Sequence, residues 1–260
     1  MKRKSFLFIL IVLLMTFGCS AGDEPRSEPK KEVKSELKSA VKSAAKTADP
    51  VADLLARMIE EYGGEENLKK LDSYISVWDI QVMVRDDKGT ATNHVELPGK
   101  LKVELVYPDK KEARVLNSGK GYKTYNGSAG KPAVGPPLDA MKLQLLRLFT
   151  PLTLSRLFTA SPGSFNLSED GEYKLLTLKG GNLGTIYYVN AKTLMIEKVV
   201  GRLSMGGQTM EFLTEYSDIR PEGGVLMHHM ENKFAGGTNT AKLYLKEIKL
   251  GATIDGKVFE

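Results

Sequence analysis

This chain of 260 residues holds one cysteine, one tryptophan and three histidines. A lone cysteine, Cys19, closes no intrachain disulfide and builds no multi-cysteine metal site. The histidines add little. His94 stands alone. His228 and His229 are neighbours in a predicted strand, where adjacent side chains point to opposite faces, so they do not chelate one ion together. Ser204, in Gly201-Arg202-Leu203-Ser204-Met205-Gly206, lacks the spacing of a nucleophile elbow. Gly180-Gly181-Asn182-Leu183-Gly184 lies between two strands and reads as a hairpin turn, because a phosphate cradle needs a strand followed by a helix. No two carboxylates pair convincingly, although distant strands can bring an acid and a base together. The sequence therefore names no catalytic residue, no metal site and no cofactor.

Charge of one sign is scarce as well. The formal charge is +5. Residues 1–18 carry Lys2, Arg3 and Lys4 and no acid, so without them it falls to +2. Ser20–Pro50 has seven basic and six acidic residues, and Val51–Glu260 has 27 and 26. With no basic excess in the folded part, a nucleic-acid partner is not expected.

Behind the basic N-terminus, Phe6 to Met15 is uncharged and apolar, too short to span a bilayer comfortably and right for a signal-peptide core. Small residues Gly18 and Ser20 flank Cys19. The arrangement resembles a bacterial lipoprotein signal, although Met15-Thr16-Phe17-Gly18-Cys19 lacks the usual Leu three residues before the cysteine. The resemblance implies cleavage before Cys19, lipid (palmitate among it) on that residue, and a membrane held through the anchor. Ser20 in the next position, rather than aspartate, points to the outer membrane by the rule known in enteric bacteria. The alternative is an ordinary secretory signal; either way the chain is exported. The expected organisation is a signal over 1–18, a lipidated cysteine and tether over 19–49, and a domain over 50–260.

The tether is poor in aromatics and rich in Lys, Glu, Ser, Ala and Pro, a composition that buries too little apolar surface to fold alone. Lys34, Lys38, Lys42 and Lys46 recur every four residues, as do Val33, Leu37 and Val41. Two readings stay open: a solvated spacer, or a transient helix on anionic headgroups.

About 210 residues remain, enough for one domain with a sizeable core. Asp49-Pro50 predicts a helix start. Val51, Leu54, Leu55, Met58 and Ile59 mark its buried face, and Gly63-Gly64 its end. After Ser73 the period becomes two. Trp78, Ile80, Val82 and Val84 alternate with polar residues up to a turn at Asp86–Gly89. Leu101, Val103, Leu105 and Tyr107 alternate likewise. Further strands are expected at 112–116, 121–125, 173–178, 185–189, 194–202, 209–216, 225–234 and 240–250, making about ten antiparallel strands with one buried and one wet face. A Gly/Pro-rich loop at 129–137 interrupts them and leads into an apolar helix pair over Leu138–Phe158, broken at Thr150-Pro151. Met141, Leu145, Leu146 and Phe149 belong to it, and Asp139, Lys142, Arg147 and Arg156 are its charges. Ten strands present more apolar surface than two or three helices cover tightly. Sheet closure, a second sheet or an apolar ligand cavity would each resolve this.

Several pieces in order resemble the LolA/LolB-like superfamily, in particular the outer-membrane lipoprotein-sorting proteins. They are Tyr62-Gly63-Gly64, Glu66–Leu71, the apolar mid-chain helix, Gly171–Leu175, Ile186–Asn190 with Thr193–Ile196, Tyr216–Arg220, Gly224–Met227 and Ile254–Phe259. Where such proteins usually place an aspartate this chain has Asn190, which a turn tolerates. The resemblance spans about Val51 to Glu260. It implies an α+β domain: a strongly curved antiparallel sheet forming an open half-barrel, with helices in the concave face. It also implies a cavity for acyl chains of a lipoprotein or lipid, and trafficking components as partners. The expected cavity residues are Trp78, Ile80, Val82, Leu101, Val103, Leu105, Tyr107, Met141, Leu145, Leu146 and Phe149. Soluble carriers of the family lack an anchor, so a lipidated chain looks more like the acceptor side or a lipid-handling relative. Two other readings compete: a sensing or protein-interaction lipoprotein without lipid cargo, and a hydrolase with an unrecognised site.

Overall fold

The computed structural model describes residues 49–260. Cys19, the signal and nearly all of the tether lie outside the described residues. The first helix, α1 (Pro50–Glu61), starts where expected: Asp49 Oδ1 accepts from the Val51 N–H at 2.8 Å and Pro50 takes the first helical position. Val51, Leu54, Leu55 and Met58 form its buried stripe. Gly63 and Gly64, with φ of 111° and 84°, end it. A short helix α2 (Glu65–Leu68) follows.

Thirteen strands then build one antiparallel sheet. Five descend from its centre: β1 (Ser73–Val82), β2 (Asp87–Glu96), β3 (Lys100–Val106), β4 (Lys111–Asn117) and β5 (Lys120–Tyr125), with β6 (Lys131–Ala133) as edge. The chain next forms α3 (Pro136–Leu146) and α4 (Pro151–Ala160). It returns through β7 (Phe165–Asp170), β8 (Tyr173–Gly180), β9 (Leu183–Asn190), β10 (Ile196–Met205), β11 (Gln208–Glu222), β12 (Val225–Ala235) and β13 (Thr238–Leu250). The strand order is β6-β5-β4-β3-β2-β1-β13-β12-β11-β10-β9-β8-β7. The sheet is thus two meanders, or arms, joined where β1 pairs with β13, and the α3–α4 segment carries the chain from one edge to the other.

That connection requires the sheet to curl. Helix α3 touches β4 and β5 on one arm and β9 and β10 on the other. In a flat sheet β5 and β9 would stand about 43 Å apart at ~4.8 Å per strand, whereas a helix is about 10–12 Å across. One helix reaches both only inside a trough. The fold is therefore an open, curled sheet with helices in its concave side.

Thirteen strands replace the expected ten or so. The three extra are β2, β6 and β7. Their sequences hide them: Thr90–His94 in β2 holds almost no large apolar residue, β6 has three residues including Pro132, and β7 ends in Ser168-Glu169-Asp170. Proline and charge on the two edge strands also suit positions where unpaired backbone faces solvent. The first turn is corrected as well. Asp87 already belongs to β2, and Val84, expected inward, sits at the hairpin tip, 62% exposed.

Candidate functional site

The main core lies between the concave sheet face and the helices, with Leu55, Met58, Leu154, Val95, Leu176 and Tyr187 among its fully buried members. Helix α3 is apolar on two flanks because it is held from two sides. Leu138 and Met141 lie over Gly121 of β5. Leu143, about half a turn round, lies over Gly201 of β10. On that second side Asn182, in the β8–β9 turn, donates to Asp139 Oδ2 at 2.8 Å.

The end of α3 is fixed by the sheet. Its last carbonyls have no intrahelical donors. The Tyr187 hydroxyl donates to the Leu146 carbonyl at 2.6 Å, and the Tyr216 hydroxyl to the Arg147 carbonyl at 3.0 Å. Burial pushes both phenols up, so both stay protonated donors. Helix α4 restarts at Thr150, whose Oγ1 accepts from the Thr153 N–H at 3.2 Å, with Pro151 next.

Beneath this α3–α4 corner is a cavity of about 90 Å³. Arg147, Leu148, Phe149, Thr150 and Pro151 roof it. Tyr74, Ser76 and Trp78 of β1, Asn93 of β2, Tyr216 of β11 and His228 and Glu231 of β12 supply its polar and aromatic floor. His228 stacks between Tyr216 (centroids 4.1 Å apart) and Trp78 (5.8 Å). Trp78 Nε1 donates to Ser76 Oγ at 2.9 Å.

Glu231 is 4% exposed. Its Oε1 meets His228 Nε2 at 3.0 Å and its Oε2 meets Lys233 Nζ at 2.9 Å. Burial acts to raise its carboxyl, and Lys233 and His228 outweigh it, holding the group well below the usual carboxylate range. His228 and Glu231 are three apart, a spacing that in a regular strand points to opposite faces. Asp218 of β11, at φ 54°, interrupts the pairing opposite this point, and both side chains reach the same cavity. His229 faces elsewhere, into a surface depression with Glu222, 3.7 Å away.

Of the eleven expected cavity residues, Trp78 and Phe149 line the cavity. Leu101, Val103, Met141 and Leu145 are packed core, and Leu146 packs against it. Ile80 and Tyr107, with Val82 and Leu105 against them, form a second, smaller cluster around Trp78. The sequence did not bring Arg147, Tyr216 and the His228–Glu231 pair together, because they come from three distant segments: the end of α3, β11 and β12. The one signal available was a lone arginine closing an otherwise apolar run. Among the described residues no group of three or more His, Cys, Asp or Glu is placed to hold a metal, and no helix is long and apolar enough to cross a membrane.

An open curled sheet with a helix pair closing its trough does not by itself fix one chemistry. A LolA superfamily protein from Nitrosomonas europaea has a similar structure, with a TM-score of 0.52 and 13% identity over 80% of this chain and 97% of that one. A domain assigned to outer membrane lipoprotein sorting from Vibrio parahaemolyticus aligns with a TM-score of 0.49 and 8% identity, over 80% and 95%. No family model matches this sequence, and no curated protein matches it. The fold is LolA-like.

Proposed function

We propose that this chain is a lipid-anchored, periplasm-facing protein of the outer membrane. It takes acyl chains of a lipoprotein or lipid into the trough beneath α3 and α4, and serves lipoprotein or lipid trafficking without catalysis. The observation that supports this is α3 itself: a helix apolar on both flanks, lying between the arms of an unclosed sheet. A cavity of about 90 Å³ is smaller than the ~300–1,000 Å³ of ligand sites, so uptake requires the helix pair to swing outward. The floor residues Leu101, Val103 and Leu105 and the helix residues Met141, Leu145 and Leu146 then become ligand contacts. The cluster of Ile80, Val82 and Tyr107 extends the trough.

Native mass spectrometry of the Cys19→Ala protein, which carries no lipid of its own, tests the reading. The expected result is a co-purified acyl lipid, regained by delipidated protein on exposure to lipid. Bare protein in both states would overturn it. The small cavity favours a second reading, a sensing or protein-interaction lipoprotein with filled core, and that reading expects bare protein.

A further inference from the structure

The charges around the central cavity do not cancel. Glu231 has both oxygens engaged, one by His228 and one by Lys233. Arg147 forms no ion pair among the described residues. Its guanidinium carries five donors, and it makes one long hydrogen bond, from Nη1 to Thr214 Oγ1 at 3.4 Å. Its Nε is buried with no partner. Burial pulls its pKa down from the ordinary value, against the attraction of Glu231. Counting Arg147, Lys233 and Glu231, one positive charge remains over. A buried donor is costly unless something accepts from it; here that donor is the Nε, on a side chain that is otherwise partly buried.

We propose that Arg147 is the receptor for an anionic head group, a carboxylate or a phosphate, on an acyl amphiphile whose tail lies along the apolar side of the same cavity. This rests on the acyl-binding reading above and specifies the polar end of its ligand. Leu148, Phe149, Ile196, Val199, Leu226 and Ile248 line the cavity that Arg147 borders, and Arg147 also borders an adjoining pocket of about 20 Å³ with Thr214, Glu231 and Lys233, so an apolar wall and a cationic residue adjoin as tail and head do. A guanidinium grips a carboxylate or phosphate through two parallel donors, a fork that a single hydroxyl cannot fill. Glu231 does not take this role, because its oxygens are held by other donors. A cationic head group would meet the charge of Arg147, which forms no ion pair among the described residues, and be excluded. The corner that carries Arg147 is also the one Tyr187 and Tyr216 tether, so head-group capture and helix position are joined at one point.

Trp78, the only tryptophan, lines this cavity and reports on it. The full chain bearing Cys19→Ala is titrated with decanoate, decyl phosphate, decanol, decyltrimethylammonium and inorganic phosphate, following Trp78 fluorescence. The two anionic amphiphiles are expected to bind about ten- to hundred-fold more tightly than decanol, the worth of a charge-assisted hydrogen bond pair. Arg147→Gln is expected to erase that preference, bringing the ratio of decanoate to decanol affinity to about one. Arg147→Lys, which keeps the charge and loses the fork, is expected to retain part of it. Thermal melts of both variants establish that they fold, and the comparison among head groups in the parent protein needs neither. Equal binding of decanoate and decanol overturns the assignment while leaving acyl binding intact, as does a preference that survives Arg147→Gln. Inorganic phosphate binding as tightly as decyl phosphate also overturns it, since the tail would then be irrelevant. If no decyl compound binds, the acyl-binding reading falls with it.

Discussion

Leu143 lies so close over Gly201 that a Cβ at position 201 would stand 2.7 Å from its Cγ. Leu143 is 1% exposed and has little room to yield. Gly201→Ala is expected to cost about 1–3 kcal/mol, the range for overpacking, measured by urea unfolding. Adding Leu143→Ala should return part of that loss, because the two sites share one contact. Strictly additive losses would show that the helix does not bear on the strand here.

The tyrosine tethers set how firmly the helix pair is held. Tyr187→Phe and Tyr216→Phe each remove one hydroxyl donor from the end of α3, at about 0.5–1.5 kcal/mol. Amide exchange over residues 138–158 should quicken in both variants while β1 and β13 stay protected, and an acyl ligand should slow it in the parent protein. Exchange over 138–158 as slow as in β1, with and without ligand, would mean a fixed core helix and no movable cover.

Burial along β3 can be checked with one change of chemistry at two positions. Val103 is 5% exposed and Val106 is 42% exposed. Val103→Asp should cost several kcal/mol, and Val106→Asp within about half a kcal/mol. Lys102 is a poor control, because its ammonium sits 3.2 Å from Glu104 and its side chain is mostly covered. Similar urea midpoints for the two valine variants would refute the inward register.

Glu231 makes stability depend on acid. Its folded pKa is depressed, so its contribution is present above the ordinary carboxylate value and fades as pH falls through that value toward the lower folded one. Glu231→Gln should cost about 3 kcal/mol at neutral pH, the low end for a broken buried pair, because Lys233 keeps some solvent contact. Between about pH 5 and 2 the parent protein should lose stability more steeply than the variant. Parallel melting curves across that range would remove Glu231 from the acid response.

Cys19 is expected to hold the protein on a membrane. Each buried acyl methylene contributes ~0.8 kcal/mol, so several long chains make release negligible. Cys19→Ala should move the protein to the soluble fraction and abolish palmitate labelling. Unchanged partition with no label on the parent would end the idea.

What could be read from the sequence follows from how local each signal is. The cap at Asp49, the stripe from Val51 to Met58, and the alternation from Trp78 to Ile80 and Leu101 to Val103 are local, and the structure repeats them. β2 escaped because polar Thr90, Thr92 and His94 lie on a strand whose place is set by its neighbours β1 and β3. Tertiary pairing there overrides a weak local pattern. The Arg147–Glu231–His228 grouping could not be read at all. Arg147 is distant in the chain from the His228–Glu231 pair, and what joins them is the curl that brings the α3–α4 corner over the central strands.

The pairing of β1 with β13 has a kinetic consequence. Tyr74 sits opposite Leu250, so the two arms stay separate local meanders until the last strand arrives. Closing so long a loop delays the rewarding contacts and slows folding. Until then β1 exposes a bare edge at what becomes the middle of the sheet, inviting pairing with another chain. A nascent domain lacking β13 is therefore an aggregation-prone intermediate rather than a smaller working version of the protein.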